Sequence, residues 1–155
     1  MSNVVGVLAL QGAFDKHIEM LSAMGVDCQQ VRHAHELAEC SALIIPGGES
    51  TTMSLLIQKF DLYDKLQKFA KTKPVMGVCA GAIMMAETAD DTRITPLSIM
   101  PMTAKRNNYG RQVFSFSTDL RLQCDADGET YQAHFIRAPG LVANSDKIEA
   151  LVSYN

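Results

Sequence analysis

The sequence predicts an α/β fold, with βαβ units around a mostly parallel sheet and an antiparallel extension. Three observations carry this expectation. The first half alternates short apolar runs with segments of helical spacing, most of these runs stop at Gly, Pro or a polar turn, and after Asp90 the apolar runs become shorter and partly polar. A length of 155 residues fits a single domain, since domains usually take roughly 100–200.

Val4–Leu10 is a continuous apolar run closed by Gln11-Gly12, as expected of a strand buried on both faces. From Ala13 to Met24, Phe14, Ile18 and Leu21 recur at helical spacing, and Gly25 suits the position just past a helix end. Cys28–Arg32 is a weak second strand. Ala42–Ile45 is a stronger third, stopped by Pro46-Gly47-Gly48. Helical patterns follow at Thr51–Gln58 and Leu62–Lys71. Pro74–Val78 reads as a fourth strand, running into Cys79-Ala80-Gly81 and a helical Ala82–Glu87. Phe114–Ser117, Leu120–Cys124, Tyr131–Ile136 and Ile148–Val152 are the partly polar strands of the extension. The scattered methionines are read as fillers of core gaps.

Composition narrows the function classes. With 47% hydrophobic and 20% charged residues the chain is globular rather than disordered, fibrous or coiled-coil. A net charge of −3 argues against binding to nucleic acid or an anionic membrane, both of which favour a basic excess. No apolar run approaches the ~18 residues of a membrane span, and the N-terminus lacks a basic leader region. Cys28, Cys40, Cys79 and Cys124 form neither a CxxC nor a Cys/His pair, so no metal site is expected. A reducing cytoplasm is the expected location.

The sharpest chemical signal is Gly77-Val78-Cys79-Ala80-Gly81. A G-x-nucleophile-x-G pentapeptide between a strand and a helix is a nucleophile elbow. The turn brings its two flanking positions too close for side chains, hence the glycines. It also sets the nucleophile at a helix start, where the dipole favours negative charge and the Ala80 N–H can face an oxyanion. The competing reading is a buried structural cysteine between packing glycines. A second signal is Pro46-Gly47-Gly48-Glu49-Ser50-Thr51-Thr52. It is either a tight strand–helix turn, with Ser50 or Thr51 capping the next helix, or an anion-binding nest. No P-loop Lys follows it, so it is not a Walker A. Next to an elbow it suits the second oxyanion donor. Lys105–Gln112 and His134–Pro139 contain arginines, which by themselves assign no site.

Taken in order, GVLALQG, PGGESTT, GVCAG, RNNYGRQ and HFIRAP resemble the glutaminases linked to pyridoxal 5′-phosphate synthesis, within the class I (triad) glutamine amidotransferases. The resemblance runs from about Val4 to the end of the chain. It implies a three-layer sandwich with a flavodoxin-like core, hydrolysis of L-glutamine to L-glutamate and ammonia, and delivery of ammonia to a pyridoxal 5′-phosphate synthase subunit. No cofactor is expected, and no residue is assigned to a metal. The resemblance further implies Cys79 as nucleophile, with Gly47, Gly48 and Ala80 around the oxyanion. Gly48, Glu49, Ser50, Arg106, Ile136 and Arg137 would be the glutamine contacts.

The resembled family completes its triad with a His and a Glu in a His-Pro-Glu segment, and no such tripeptide occurs in these 155 residues. His17, His33, His35 and His134 are all read as surface or core histidines. The chain is therefore expected to be C-terminally incomplete relative to the family and a poor glutaminase as it stands. Two other expectations compete with a working enzyme: a chain that binds without turning over, and a Cys-elbow protein of the DJ-1/PfpI kind.

Overall fold

The computed structural model of the protein describes residues 3–106, 108–110, 114–121 and 129–154. Its centre is a parallel sheet of β1 (Val5–Leu8), β2 (Cys28–Val31), β3 (Ala42–Ile45) and β4 (Val75–Gly77), in the order β2-β1-β3-β4. Between them run α1 (Phe14–Ala23), α2 (Ala34–Glu39), α3 (Ser50–Lys59) and α4 (Tyr63–Ala70). The chain steps from β1 to β2 in one direction and from β2 over β1 to β3 in the other. Right-handed crossovers then place α1 on one face and α2, α3 and α4 on the other, which makes three layers. Parallel strands covered on both faces must be apolar, and Val7, Leu8, Val31, Leu43 and Ile45 are all buried. Met53 and Ile57 of α3, Leu62, and Leu66 of α4 complete the core.

The elbow strand leads into α5 (Ala80–Met85), all six residues of which are buried. A helix running to Glu87 is not what forms. Ala86 turns extended (φ −60°, ψ 157°) and starts β5 (Ala86–Ala89), which pairs in parallel with β6 (Met100–Lys105). β6 in turn pairs antiparallel with β9 (Gly140–Ala143). The expected antiparallel extension therefore exists, but not as added edge strands of the central sheet. It comprises this three-stranded sheet and a separate hairpin, β7 (Phe116–Arg121) with β8 (Thr130–Phe135). β7 replaces the two strands expected at Phe114–Ser117 and Leu120–Cys124, whose residues 122–124 lie outside the described ones. Ile148–Val152 forms no strand, although Ile148 packs against the core.

The segment from Asp90 to Ile99 is irregular yet firmly held. Ser54 of α3, only 1% exposed, accepts the Thr95 N–H at 2.9 Å. Tyr63 donates to the Pro96 carbonyl at 2.8 Å, and Gln67 donates to the Leu97 carbonyl at 2.8 Å. Leu97 is fully buried beneath them. Truncating a buried leucine removes transfer free energy and leaves a cavity, at about 2–5 kcal/mol. Leu97→Ala is therefore expected to lower the free energy of urea unfolding by that amount, seen as a lower midpoint with an unchanged slope.

Candidate active site

Three strand ends meet at one edge of the parallel sheet. Ligand crevices of such sheets open at the carboxyl ends of strands, where the strand order reverses. Here the reversal lies between β1 and β3, so the turns after them, Gln11-Gly12 and Gly47-Gly48, face one another. Gly12 adopts φ +84°, and a Cβ there would run into the Gly47 carbonyl. That carbonyl instead accepts the Ala13 N–H at 3.1 Å. The Gln11 side-chain oxygen accepts the Glu49 N–H at 2.9 Å, which fixes the loop that follows β3.

The turn after β4 is an elbow in geometry as well as in sequence. A Cβ on Gly77 would stand 2.8 Å from the Gly81 carbonyl carbon and from the Ala82 nitrogen. One on Gly81 would strike the Ile45 carbonyl of the neighbouring strand. These are backbone atoms and cannot give way. Cys79, between the two glycines, is forced to φ +49° and ψ −106°, a conformation that L-residues avoid. Its carbonyl accepts the Ile83 N–H at 3.1 Å and so begins α5. A Cβ at Gly47 would lie 3.6 Å from the Cys79 Cβ, so the loop after β3 borders the thiol. Among the described residues neither the Gly48 nor the Ala80 amide donates a hydrogen bond, leaving two donors beside it.

Glu49, rather than Ser50 or Thr51, caps α3. Its carboxylate accepts the Thr52 N–H at 2.7 Å, the Thr51 N–H at 3.3 Å and both threonine hydroxyls. Ser50 becomes the first helical residue and is 2% exposed. Burial alone would raise the Glu49 carboxyl. The donors from Thr51 and Thr52 overcome it and hold the group at about 2, against an ordinary 4.5. Arg106, just past β6, donates through Nη2 to Glu49 and through Nη1 to Asp91 at 2.7 Å.

Glu49 and Arg106 thus come together, 57 residues apart in sequence. Ile136 and Arg137 follow β8 and are exposed, Arg137 at φ +47°. Among the described residues neither has a hydrogen bond or ion pair to Cys79, Glu49 or Arg106. Histidines stand apart too. His33 and His35 stack at 5.8 Å at the start of α2, and His134 Nδ1 meets Ser117 Oγ at 2.7 Å. Sequence reasoning missed Gln11 as the prop of the Glu49 amide. Its place directly after β1 was the available signal. It also missed Asp91, which nothing in its neighbourhood marks.

A parallel α/β sheet with a strained cysteine at a G-x-C-x-G elbow, beside two unpaired amides, defines a cysteine-nucleophile enzyme of the amidotransferase type. The SNO glutamine amidotransferase family matches residues 7–155, and the chain belongs to it. It is 42% identical to a pyridoxal 5′-phosphate synthase subunit PdxT from Francisella philomiragia, over all of this chain and 82% of that protein. It is 41% identical to the subunit of the same name from Oenococcus oeni, over all of this chain and 80% of that one. A crystal structure of a glutamine amidotransferase superposes with a TM-score of 0.88 at 36% identity, covering 97% of this chain and 79% of its own.

Two predictions follow from this geometry. Strained backbone of this kind costs roughly 1–3 kcal/mol, and glycine is relieved of most of it. Cys79→Gly should therefore melt higher than Cys79→Ala, and equal melting temperatures would mean that the elbow carries no strain. Glu49 contributes stability that is fully present above about pH 4.5 and is lost as pH falls from there towards about 2. Glu49→Gln should lower stability at pH 7 and flatten the acid side of the stability–pH curve across that window, as read by urea unfolding at stepped pH.

Proposed function

We propose that this chain hydrolyses L-glutamine to L-glutamate and ammonia at Cys79, and that the ammonia passes to a pyridoxal 5′-phosphate synthase subunit. The strained elbow beside the glycine loop is the observation that carries this reading, together with membership of the family. The Cys79 thiolate attacks the carboxamide carbon. A C–S bond forms, and the carbonyl oxygen takes negative charge against the Gly48 and Ala80 amides, with the backbone at Gly47 shaping the loop. The C–N bond then breaks and ammonia leaves with a proton drawn from solvent; water next adds to the thioester carbon, and the C–S bond breaks to release glutamate and restore the Cys79 thiol.

The substrate is a zwitterion at one end, so its site needs both charge signs. Glu49 suits the α-ammonium and Arg106 the α-carboxylate. Gly48 and Ser50 complete one wall, and Ile136 with Arg137 supply a further contact from the end of β8. The relatives of the same description are named as synthase subunits, which supports an ammonia-accepting partner. A cytoplasmic setting is part of this proposal; among the described residues no helix is long and apolar enough to cross a membrane.

Release of ammonia and activation of water both call for a general acid/base. Among the described residues no histidine donates to or accepts from Cys79. The 155-residue chain alone is therefore expected to acylate faster than it turns over. In comparable triad hydrolases loss of the base costs on the order of 10⁶ in turnover.

The test has two parts. A glutamine-like electrophile should label Cys79 well before Cys28, Cys40 or Cys124, as read by peptide mass mapping. Cys40 is buried, and burial pushes its thiol up. Equal labelling of all four in the folded protein would sink the assignment. Steady-state ammonia release should be slow and should vanish in Cys79→Ala. Rapid release by this chain would show that another residue serves as base.

A further inference from the structure

Asp91 lies outside the residues assigned to glutamine above, yet it is wired into them. Its Oδ2 accepts from Arg106 Nη1 at 2.7 Å and from Arg93 Nη2 at 2.6 Å. Its Oδ1 accepts from Arg93 Nε at 2.9 Å and from the Arg93 N–H at 3.1 Å. Both oxygens are thereby committed, and the two arginines draw the Asp91 carboxyl well below its ordinary range, Arg93 contributing most. The neighbouring Asp90 accepts the Arg106 N–H at 2.9 Å. Arg93 is 71% exposed, whereas the Asp91 and Arg106 side chains are 15% and 23% exposed, so the inner pair is the sheltered one.

The carboxylates on Arg106 form a closed circuit. Glu49 caps α3, Ser54 of the same helix holds Thr95, and the segment so held contains Asp91. Asp91 grips Arg106, and Arg106 returns to Glu49. A guanidinium offers five N–H donors in a planar fork, and only two are used here by the two carboxylates. Three remain for a ligand carboxylate while the Asp91 contact persists.

We propose that Asp91 is a positioning residue for glutamine recognition, holding Arg106 in place when the substrate's α-ammonium draws Glu49 away from it. This rests on the reading of Glu49 and Arg106 given above. Without Asp91, the Arg106 guanidinium is left with Glu49 as its one carboxylate partner among the described residues. The two recognition charges then satisfy each other, and the incoming zwitterion must break that pair unaided. Binding weakens, while the chemistry at Cys79 is left as it was.

The experiment measures covalent labelling of Cys79 in the 155-residue chain by 6-diazo-5-oxo-L-norleucine, followed by intact mass at several concentrations. Iodoacetamide serves as a probe that needs no recognition. In Asp91→Asn the half-saturating concentration should rise about tenfold, the scale of one lost charge-assisted hydrogen bond, with the limiting rate within about twofold. Iodoacetamide should react as in the wild type, and Asp91→Glu should recover most of the loss. An unchanged half-saturation in Asp91→Asn overturns the proposal. So does a parallel fall in the iodoacetamide rate, which signals general damage, or an Asp91→Glu no better than Asp91→Asn. Failure of the wild-type chain to label saturably overturns the glutamine reading itself, and this inference with it.

Discussion

Between β4 and α5 the chain reverses so tightly that backbone touches backbone where side chains would ordinarily stand. Gly77 meets the amide plane of Gly81 and Ala82, and Gly81 meets the Ile45 carbonyl of the adjacent strand. No other residue type fits either position. Everything else about the thiol is a consequence of this contact. Cys79 has to take a positive φ, its carbonyl has to start α5, and its side chain has to stand beside the Gly47-Gly48 loop. Strain of this kind persists only where the surroundings over-determine it. Here the surroundings are the wholly buried α5 and the strand β3, which is paired on both sides.

Around that fixed point the polar groups are arranged for exchange more than for strength. Glu49 spends its carboxylate on four donors of its own helix start and still accepts from Arg106. Arg106 has a second carboxylate behind it in Asp91. Ion pairs as exposed as these add little to stability, since water and salt screen them. Their use is to hold two opposite charges close to each other and within reach of a ligand. A zwitterionic amino-acid group can then enter by trading partners.

Much of this was legible in the sequence, for physical reasons that differ by element. The four parallel strands and the helices α1, α3 and α4 follow from buried apolar runs and helical spacing. The elbow follows because only glycine suits its flanks. α2 was missed because six residues, Ala34–Glu39, show no period, and its cap is a histidine whose partner Glu36 accepts the His33 N–H at 2.8 Å. β6 was missed because Pro101 argues against an inner strand. The pairing with β5 skips a register between Ala86 and Thr88, so the proline sits at an irregularity where no ladder donor is needed. Ala82–Glu87 overran because Ala, Ile and Met favour helix, whereas β6 claims Ala86 onward as a strand partner. The Glu49–Arg106 pairing joins elements that no local pattern connects. The resemblance names Glu49 and Arg106 as glutamine contacts without pairing them, and it does not include Asp91.

The wide spacing of the site along the chain bears on how the protein reaches its native state. Gln11 meets Glu49 across 38 residues, and Glu49 meets Arg106 across 57. Each junction encloses a long stretch of chain that includes strands of the sheets. Topologies dominated by such non-local pairing fold slowly, because loop-closure entropy is lost before the contacts form. β4 and α5, which carry the thiol, belong to the core itself, whereas the contacts of Glu49 with Gln11 and Arg106 tie together loops that lie far apart along the chain. The pocket is therefore a property of the assembled sheets, and no single stretch of the chain carries it.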